Sequence, residues 1–537
     1  MSILRSAIAL LSSSFTLFNV ESRADQAGFA WNFVQNGTSD IIALEPIIIS
    51  NTLAISFDRA ANDPLQLKNY SSWGALWSME TNTATPLNLV SDTFCASGGF
   101  LSNGTMVSVD GRLPNETGVY DRRMGLRIFE PCDDPTDSTC HILEDLENLH
   151  LPVVETRWYP SSARIFDGSL VSVDGRLPNE TGVYDRRMGL RIFEPCDDPT
   201  DSTCHILEDL ENLHLPVVET RWYPSSARIF DGSLMIVGGT HLEAPFYNLD
   251  PTNSTEFFPR PLKAFEQGVP VNIFPRNVFS LPDGKTLIIA NNQTIIYDIE
   301  QDEETTLPDI PNGARFSNPF NGTATLLPLC PPDYIPEVLV CGRTNMSDQI
   351  PQEQLSSYGI ERMFEPRTMT EMVILPNGKV LIINRAQSGY AAIHTVRDPV
   401  GNSNVDHLAK ELITGSDPNF VIINTTEFYS EFGVEYINPP YMPVDRPQLL
   451  NVPKQLYLNR TFTVDVTVPA GLSTGHYTTK LGAKWGSTRK LTINAPPNNR
   501  VYPPGPAYIF LTVDNVTSPG VWVMMGDGSS PPVKDQA

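Results

Sequence analysis

RWYPSSARIFDGSLMIVGG, Arg221–Gly239, is the stretch from which the fold is read. Its centre has the form of a hairpin: SSARIF runs out, Asp231-Gly232 turns the chain, and SLMIV brings it back. Such a pair favours the left-handed backbone of a tight turn between strands. The same form recurs at Asn103-Gly104, Asp167-Gly168, Asp283-Gly284 and Asn377-Gly378, followed by short apolar runs such as GKTLIIANN and GKVLIIN. Few stretches have helical periodicity. Successive turn glycines lie 64, 64, 52 and 94 residues apart. The last interval holds about two units of ~47 residues, a length that suits four-stranded blades.

The chain therefore reads as all-β, with a kelch-like β-propeller of about seven blades over Gln26–Pro440. One feature disturbs that count. Val107–Leu170 and Val171–Leu234 are identical at every position, an offset of 64 residues, so RWYPSSARIFDGSL occurs twice. The second copy either folds as a further blade or loops out. Near Asn438 the proline-rich NPPYMPVDRP marks a boundary. Beyond it QLYLNRTFTVDVTVPA, RKLTINAPP, AYIFLTVDN and GVWVMM are short strands in under a hundred residues. They predict an immunoglobulin-like β-sandwich over residues 441–528, with 529–537 as a tail.

Net charge is −25 at pH 7 and the pI is near 4.7. Such a surface repels nucleic acid and anionic membrane, and neither is expected as a partner. Residues 1–24 read as a signal peptide: Arg5 is the positive flank, Ala7–Val20 is mostly apolar, and Ser22-Arg23-Ala24 offers a cleavage site. Twelve Asn-x-Ser/Thr sequons, from Asn36 to Asn515, fit a secreted, extracellular glycoprotein. Of seven cysteines, Cys132 with Cys140, their copies Cys196 with Cys204, and Cys330 with Cys341 are close enough in sequence to bridge. Cys95 is left over, and an unpaired thiol in an oxidising compartment is a candidate for special chemistry.

Four tracts carry a family resemblance: TFCASGGFLSNGTMVSV (Thr93–Val109), the Arg221–Gly239 tract, PRTMTEMVILPNGKVLIIN (Pro366–Asn384) and PPNNRVYPPGPAYIFLTVDNVTSPG (Pro496–Gly520). They closely resemble the glyoxal oxidases, secreted copper radical oxidases related to galactose oxidase, from about Gly28 to Gly528. The resemblance implies oxidation of small aldehydes such as glyoxal and methylglyoxal to carboxylic acids, with O2 reduced to H2O2. Extracellular peroxidases that consume the H2O2 would be partners. It also implies one copper ion and a tyrosine radical stabilised by a thioether bond to cysteine. Cys95 matches the cross-linked cysteine. Tyr159 and Tyr223 both match the radical tyrosine, a copper ligand; Tyr159 keeps the family's order after Cys95, and Tyr223 lies 64 residues further on.

The remaining ligands of the family are two histidines and an axial tyrosine, a nitrogen and oxygen set that suits Cu(II). The family carries the axial tyrosine and first histidine as adjacent residues, and this chain has no Tyr-His dipeptide. His407 and His476 stand near the places of the family's histidines, and His476 is the candidate metal ligand. The alternative expectation is a catalytically inactive homologue that serves as a cell-wall or binding module.

Overall fold

The computed structural model describes the strands between residues 33 and 526 and the short turns that join many of them, while the longer connections lie largely outside the described residues. Coverage is fullest over 70–93, 223–241, 277–310, 322–341, 445–469 and 489–526. Residues 1–32, 342–370, 384–432, 470–488 and 527–537 lie outside the described residues, as do shorter stretches elsewhere. The expected signal peptide and C-terminal tail fall there. All regular elements described are β-strands, so the all-β expectation holds. Among the described residues no helix is long and apolar enough to cross a membrane.

The chain winds through successive antiparallel sheets, each a simple meander. The first of these joins Glu45–Ile48, Leu53–Phe57, Gly74–Ser78 and Thr83–Pro86; the next joins Ser97–Phe100, Met106–Val109, Leu126–Phe129 and Ile142–Glu144. The third contains Ser161–Arg164, Leu170–Val173, Leu190–Phe193 and Ile206–Glu208. Ser225–Arg228, Leu234–Val237 and Thr255–Phe258 follow, then Asn277–Ser280, Thr286–Ala290, Gln293–Asp298 and Glu303–Thr306. Two hairpins continue the series, Thr323–Leu326 with Val338–Cys341 and Glu371–Ile374 with Val380–Ile383. Phe33–Thr38 pairs with Gly433–Ile437, tying the start of this region to its end.

The sheets stack face to face, which explains their apolar runs. Along Thr286–Ala290, Ile288 and Ala290 pack with Met235, Val237 and Phe257 of the preceding sheet. Leu287 and Ile289 pack with Val338 and Val340 of the following one. A strand covered on both faces has no polar alternation, and each fully buried Ile or Leu stabilises by roughly 1.5–3 kcal/mol.

The duplicated segment forms a sheet of its own. Its strands bury Leu170 and Phe193 against Val107, Val109, Leu126 and Ile128 on one side. On the other side Val171 and Val173 meet Leu234 and Ile236. The repeat begins and ends inside second strands, so one copy supplies three strands of one sheet and the first strand of the next. Sixty-four residues are thus one full sheet of chain, inserted in phase.

The turns differ in detail from the expected form. Gly104, Gly232 and Gly284 have φ of 99°, 85° and 86°, and the Asp before Gly232 and Gly284 is not left-handed. Each glycine N–H donates to the carbonyl three residues back, at Leu101, Ile229 and Leu281. Those residues in turn donate to the carbonyls of Thr105, Ser233 and Lys285. This is a type I turn closed by a glycine bulge. Asp231 and Asp283 hold it through Oδ1, which accepts the backbone N–H of Ser233 and Lys285, both at 3.1 Å.

Beyond residue 445 two three-stranded sheets face each other. One orders Gln448–Leu450, Thr461–Thr467 and Arg489–Asn494; the other orders Gln455–Leu456, Val521–Met525 and Gly505–Ile509. Leu449, Val464 and Val466 of the first and Leu456, Ala507 and Val523 of the second share Val452, Phe462 and Ile509 as common neighbours. This unit docks on the turns of the stacked sheets. Asn499 Nδ2 donates to the Phe230 carbonyl at 2.9 Å, and Arg500 Nη1 to the Asp283 carbonyl at 2.9 Å. Arg500 also pairs with Glu300 at 3.0 Å and lies 4.5 Å above the Phe230 ring centre.

Cys132 and Cys140 form the expected disulfide. The pairing of Cys330 with Cys341 is corrected: Cys330 is a free, exposed thiol. Register is the reason. Cys341 lies opposite Thr323, at the hairpin end away from the loop that carries Cys330. Cys196 and Cys204 lie outside the described residues.

Candidate active site

Three expected site residues, Cys95, Tyr159 and His476, lie outside the described residues, as does His407; Tyr223 is described. The strands beside them are informative. Cys95 stands two residues before Ser97–Phe100, Tyr159 two before Ser161–Arg164, and Tyr223 two before Ser225–Arg228. These first strands of consecutive sheets pack side by side in chain order. Ser161 Oγ, on the first residue of its strand, lies 2.6 Å from Ser226 Oγ, on the second residue of the next. The strand after Tyr159 is thus the neighbour of the strand after Cys95, and the strand after Tyr223 follows it.

Tyr223 is half-buried and has φ 59°. A bulky side chain in the left-handed region costs of the order of 1–3 kcal/mol and persists only where its surroundings dictate it. Arg221, two residues before it, is firmly anchored. Its guanidinium is fully buried and pairs with Glu256 Oε1 at 2.6 Å through Nη2 and 3.0 Å through Nε. Nη1 donates to the carbonyls of Gly238 and Ser254 at 2.8 and 3.0 Å, and Nη2 donates to Ser254 Oγ.

A second buried arginine holds the approach to Cys95. Arg127 donates from Nη2 and Nε to Ser91 Oγ at 2.6 and 3.1 Å. Ser91, Asp92 and Thr93 are all buried. Gly111 makes room: with φ 149°, a Cβ there would come within 2.2 Å of the Asp92 carbonyl oxygen. Sequence reading singled out neither arginine for a role. The available signal was a charge inside the apolar strand LRIF for Arg127, and an arginine two residues before the family tyrosine for Arg221.

His241 is the one histidine among the described residues, and these hold no group of three or more His, Cys, Asp or Glu side chains that could cage a metal. The described residues by themselves do not make a copper site. What they build is two arginine-anchored segments, one leading into Ser97–Phe100 and the other into Ser225–Arg228, the first strands on either side of Ser161–Arg164.

A family model described as glyoxal oxidase N-terminus matches residues 57–180 and 168–428. The two matches overlap at 168–180, around the start of the second copy. A model described as galactose oxidase-like, early set domain, matches residues 446–525. The chain is 25% identical to an aldehyde oxidase GLOX of Vitis pseudoreticulata, across 83% of this chain and 84% of that protein. It is 26% identical to aldehyde oxidase GLOX1 of Arabidopsis thaliana, across 74% and 77% of the two chains. Among solved structures, a fungal alcohol oxidase in complex with copper matches at 10% identity and a TM-score of 0.36, over 93% of this chain and 99% of that one. A superposition that loose assigns no residue of the site.

Proposed function

The chain belongs to the glyoxal oxidase family, and from that premise we propose that it is a secreted copper radical oxidase of small aldehydes such as glyoxal and methylglyoxal. The hydrated aldehyde gives up two hydrogens to O2, leaving a carboxylic acid and H2O2, which extracellular peroxidases would use. Copper would take one of the two electrons and a thioether-linked Cys–Tyr pair the other. Cys95 supplies the sulfur. Tyr159 is its proposed partner, with Tyr223 the alternative, and His476 is the proposed nitrogen ligand. The stacked sheets are read as the blades of a propeller, and the leader at 1–24 with its sequons as the mark of export.

The observation that carries this reading is the pairing of segments: FCASGG and RWYPSS lead into neighbouring first strands. A measurement of the purified full chain tests it. Copper should be retained after dialysis, H2O2 should appear with methylglyoxal, and the peptide containing Cys95 should be joined to one containing Tyr159, lighter by two hydrogens. A chain without copper and silent with methylglyoxal would refute the oxidase. The absent Tyr-His dipeptide favours a second reading, a family member that binds without catalysing; a copper-free, silent chain that is retained on cell-wall polysaccharide would support it.

A further inference from the structure

We propose that Asn459 carries an N-linked oligosaccharide whose first sugar lies on the exposed ring of Tyr457. The proposal rests on the reading of the chain as exported; it adds which sequon is used and what the sugar does there.

The tract is Gln455-Leu456-Tyr457-Leu458-Asn459-Arg460-Thr461, at the turn between Gln455–Leu456 and Thr461–Thr467 of the C-terminal unit. Leu456 and Leu458 are buried with Ala507, Val523 and Met525. Tyr457, Asn459, Arg460 and Thr461 are exposed, Tyr457 at 52%. That alternation sets Tyr457 and Asn459 on the outer side of the chain, two residues apart. Asn459 has φ 52°, a left-handed conformation that asparagine accepts more readily than most residues. Its N–H donates to the Pro496 carbonyl at 2.8 Å, and the Arg460 carbonyl accepts the Ala495 N–H at 2.9 Å. The backbone of the sequon is thus pinned from behind while its side chains face water.

Two independent features meet at this turn. Asn459-Arg460-Thr461 is an acceptor sequence on a surface turn, where a bulky hydrophilic group is accommodated. Tyr457 is a large ring left half in water, its hydroxyl donating to Gln455 Oε1 at 3.1 Å. A tyrosine joins an apolar body to a polar tip and suits a partner that is itself part apolar and part wet. The C–H face of a sugar is such a partner. Asn292-Gln293-Thr294 is a contrast: Asn292 is half-buried, Thr294 is buried, and buried Ala290 stands where Tyr457 stands.

In the transfer, Asn459 Nδ2 attacks the anomeric carbon of an oligosaccharide carried on a lipid diphosphate. The N–C bond forms as the anomeric C–O bond breaks, the lipid diphosphate leaves with the electron pair, and one amide proton passes to a base of the transferase. The transferase reads the sequon's hydroxyl, and in the folded chain Thr461 Oγ1 donates to Asn494 Oδ1 at 2.9 Å. Transfer therefore precedes the pairing of Thr461–Thr467 with Arg489–Asn494.

The full chain, expressed with its leader in a eukaryotic secretory host and recovered from the medium, tests the site. Peptide N-glycosidase in heavy-oxygen water should leave a labelled aspartate at position 459 of the tryptic peptide Gln455–Arg460. That peptide recovered with unmodified asparagine, from a secreted chain glycosylated at other sequons, would overturn this proposal alone. A chain kept inside the cell with every sequon bare would overturn it together with the export reading. The sugar–ring contact has its own readout in urea titration: Asn459→Gln should lower the midpoint of the wild type more than that of Tyr457→Ser. Equal losses in the two backgrounds would overturn the contact.

Discussion

Arg221 is buried with its whole fork engaged, two residues before the left-handed backbone of Tyr223. Removing one partner of a buried ion pair strands the other, a loss of about 3–5 kcal/mol. Arg221→Ala should lower the unfolding free energy by that order in urea titration, and Glu256→Gln by less, because the carbonyl acceptors remain. Tyr297 gives a second test. Its hydroxyl donates to Asp302 Oδ1 at 2.7 Å. Burial first, then that bond and the neighbouring carboxylates, raises its pKa well above the ordinary tyrosine value. A raised pKa means the folded state resists ionisation. Its contribution is complete below the unfolded value near 10 and is lost as pH climbs toward the folded one. Urea unfolding between about pH 9 and pH 11 should show stability falling more steeply in the wild type than in Tyr297→Phe. At this scale the sequence was a partial guide. RWYPSS marks its tyrosine by family likeness, but the partners of the arginine that opens the tract are distant in sequence. Glu256 lies 35 residues from Arg221, and nothing local marks that pairing.

The repeated sheet is where element-level reading met its limit. Turn dipeptides and apolar runs identified the hairpins, because both signals are local. Whether the second copy stacks or loops out depends on whether neighbours exist for its faces, and a repeat of identical residues says nothing of that. Leu170 and Phe193 on one side and Val171 and Val173 on the other supply the answer. Amides in Leu170–Val173 should therefore exchange as slowly as those of Thr286–Ala290 in hydrogen exchange of the native protein; exchange at loop rates would contradict the stacked sheet. Deleting Val171–Leu234 joins Leu170 to Met235 and restores one uninterrupted RWYPSSARIFDGSLMIVGG. Every other sheet keeps its strands. The deletant should remain folded, with a urea m-value lower by about the share of surface that one sheet buries. The Cys330 pairing failed for a related reason: closeness in sequence ignores register, and a hairpin separates its tip from its base.

At the scale of the molecule, the C-terminal unit grips the stack through Asn499 and Arg500. Glu300 is 49% exposed, so its pair with Arg500 is worth little by itself. The Phe230 ring and the Asp283 carbonyl add to it. Arg500→Ala should cost about 1–2 kcal/mol and separate the unfolding of the C-terminal unit from that of the stack in denaturant titration. This attachment was not legible in the sequence, although PPNNRVYPP carries a family likeness; the acceptors lie 200 and 217 residues away. The proposed copper ligands were equally hard to assemble from sequence, since Tyr159 and His476 lie far apart in the chain and the family's Tyr-His dipeptide is absent from it.

The in-phase insertion also bears on how the chain finds its fold. Two identical tracts offer the same strands to the same neighbours, so a nascent chain can pair Ser161–Arg164 with either the Leu170 or the Leu234 hairpin arm. Choosing the second leaves sixty-four residues dangling but satisfies every remaining sheet. That competitor sits one stacked sheet above the native state, separated from it by the need to unpair completed strands. Such a trap refolds slowly and exposes apolar edges while it waits. The polypeptide thus carries its own decoy, and refolding on dilution from urea should show a slow phase that the chain lacking Val171–Leu234 does not.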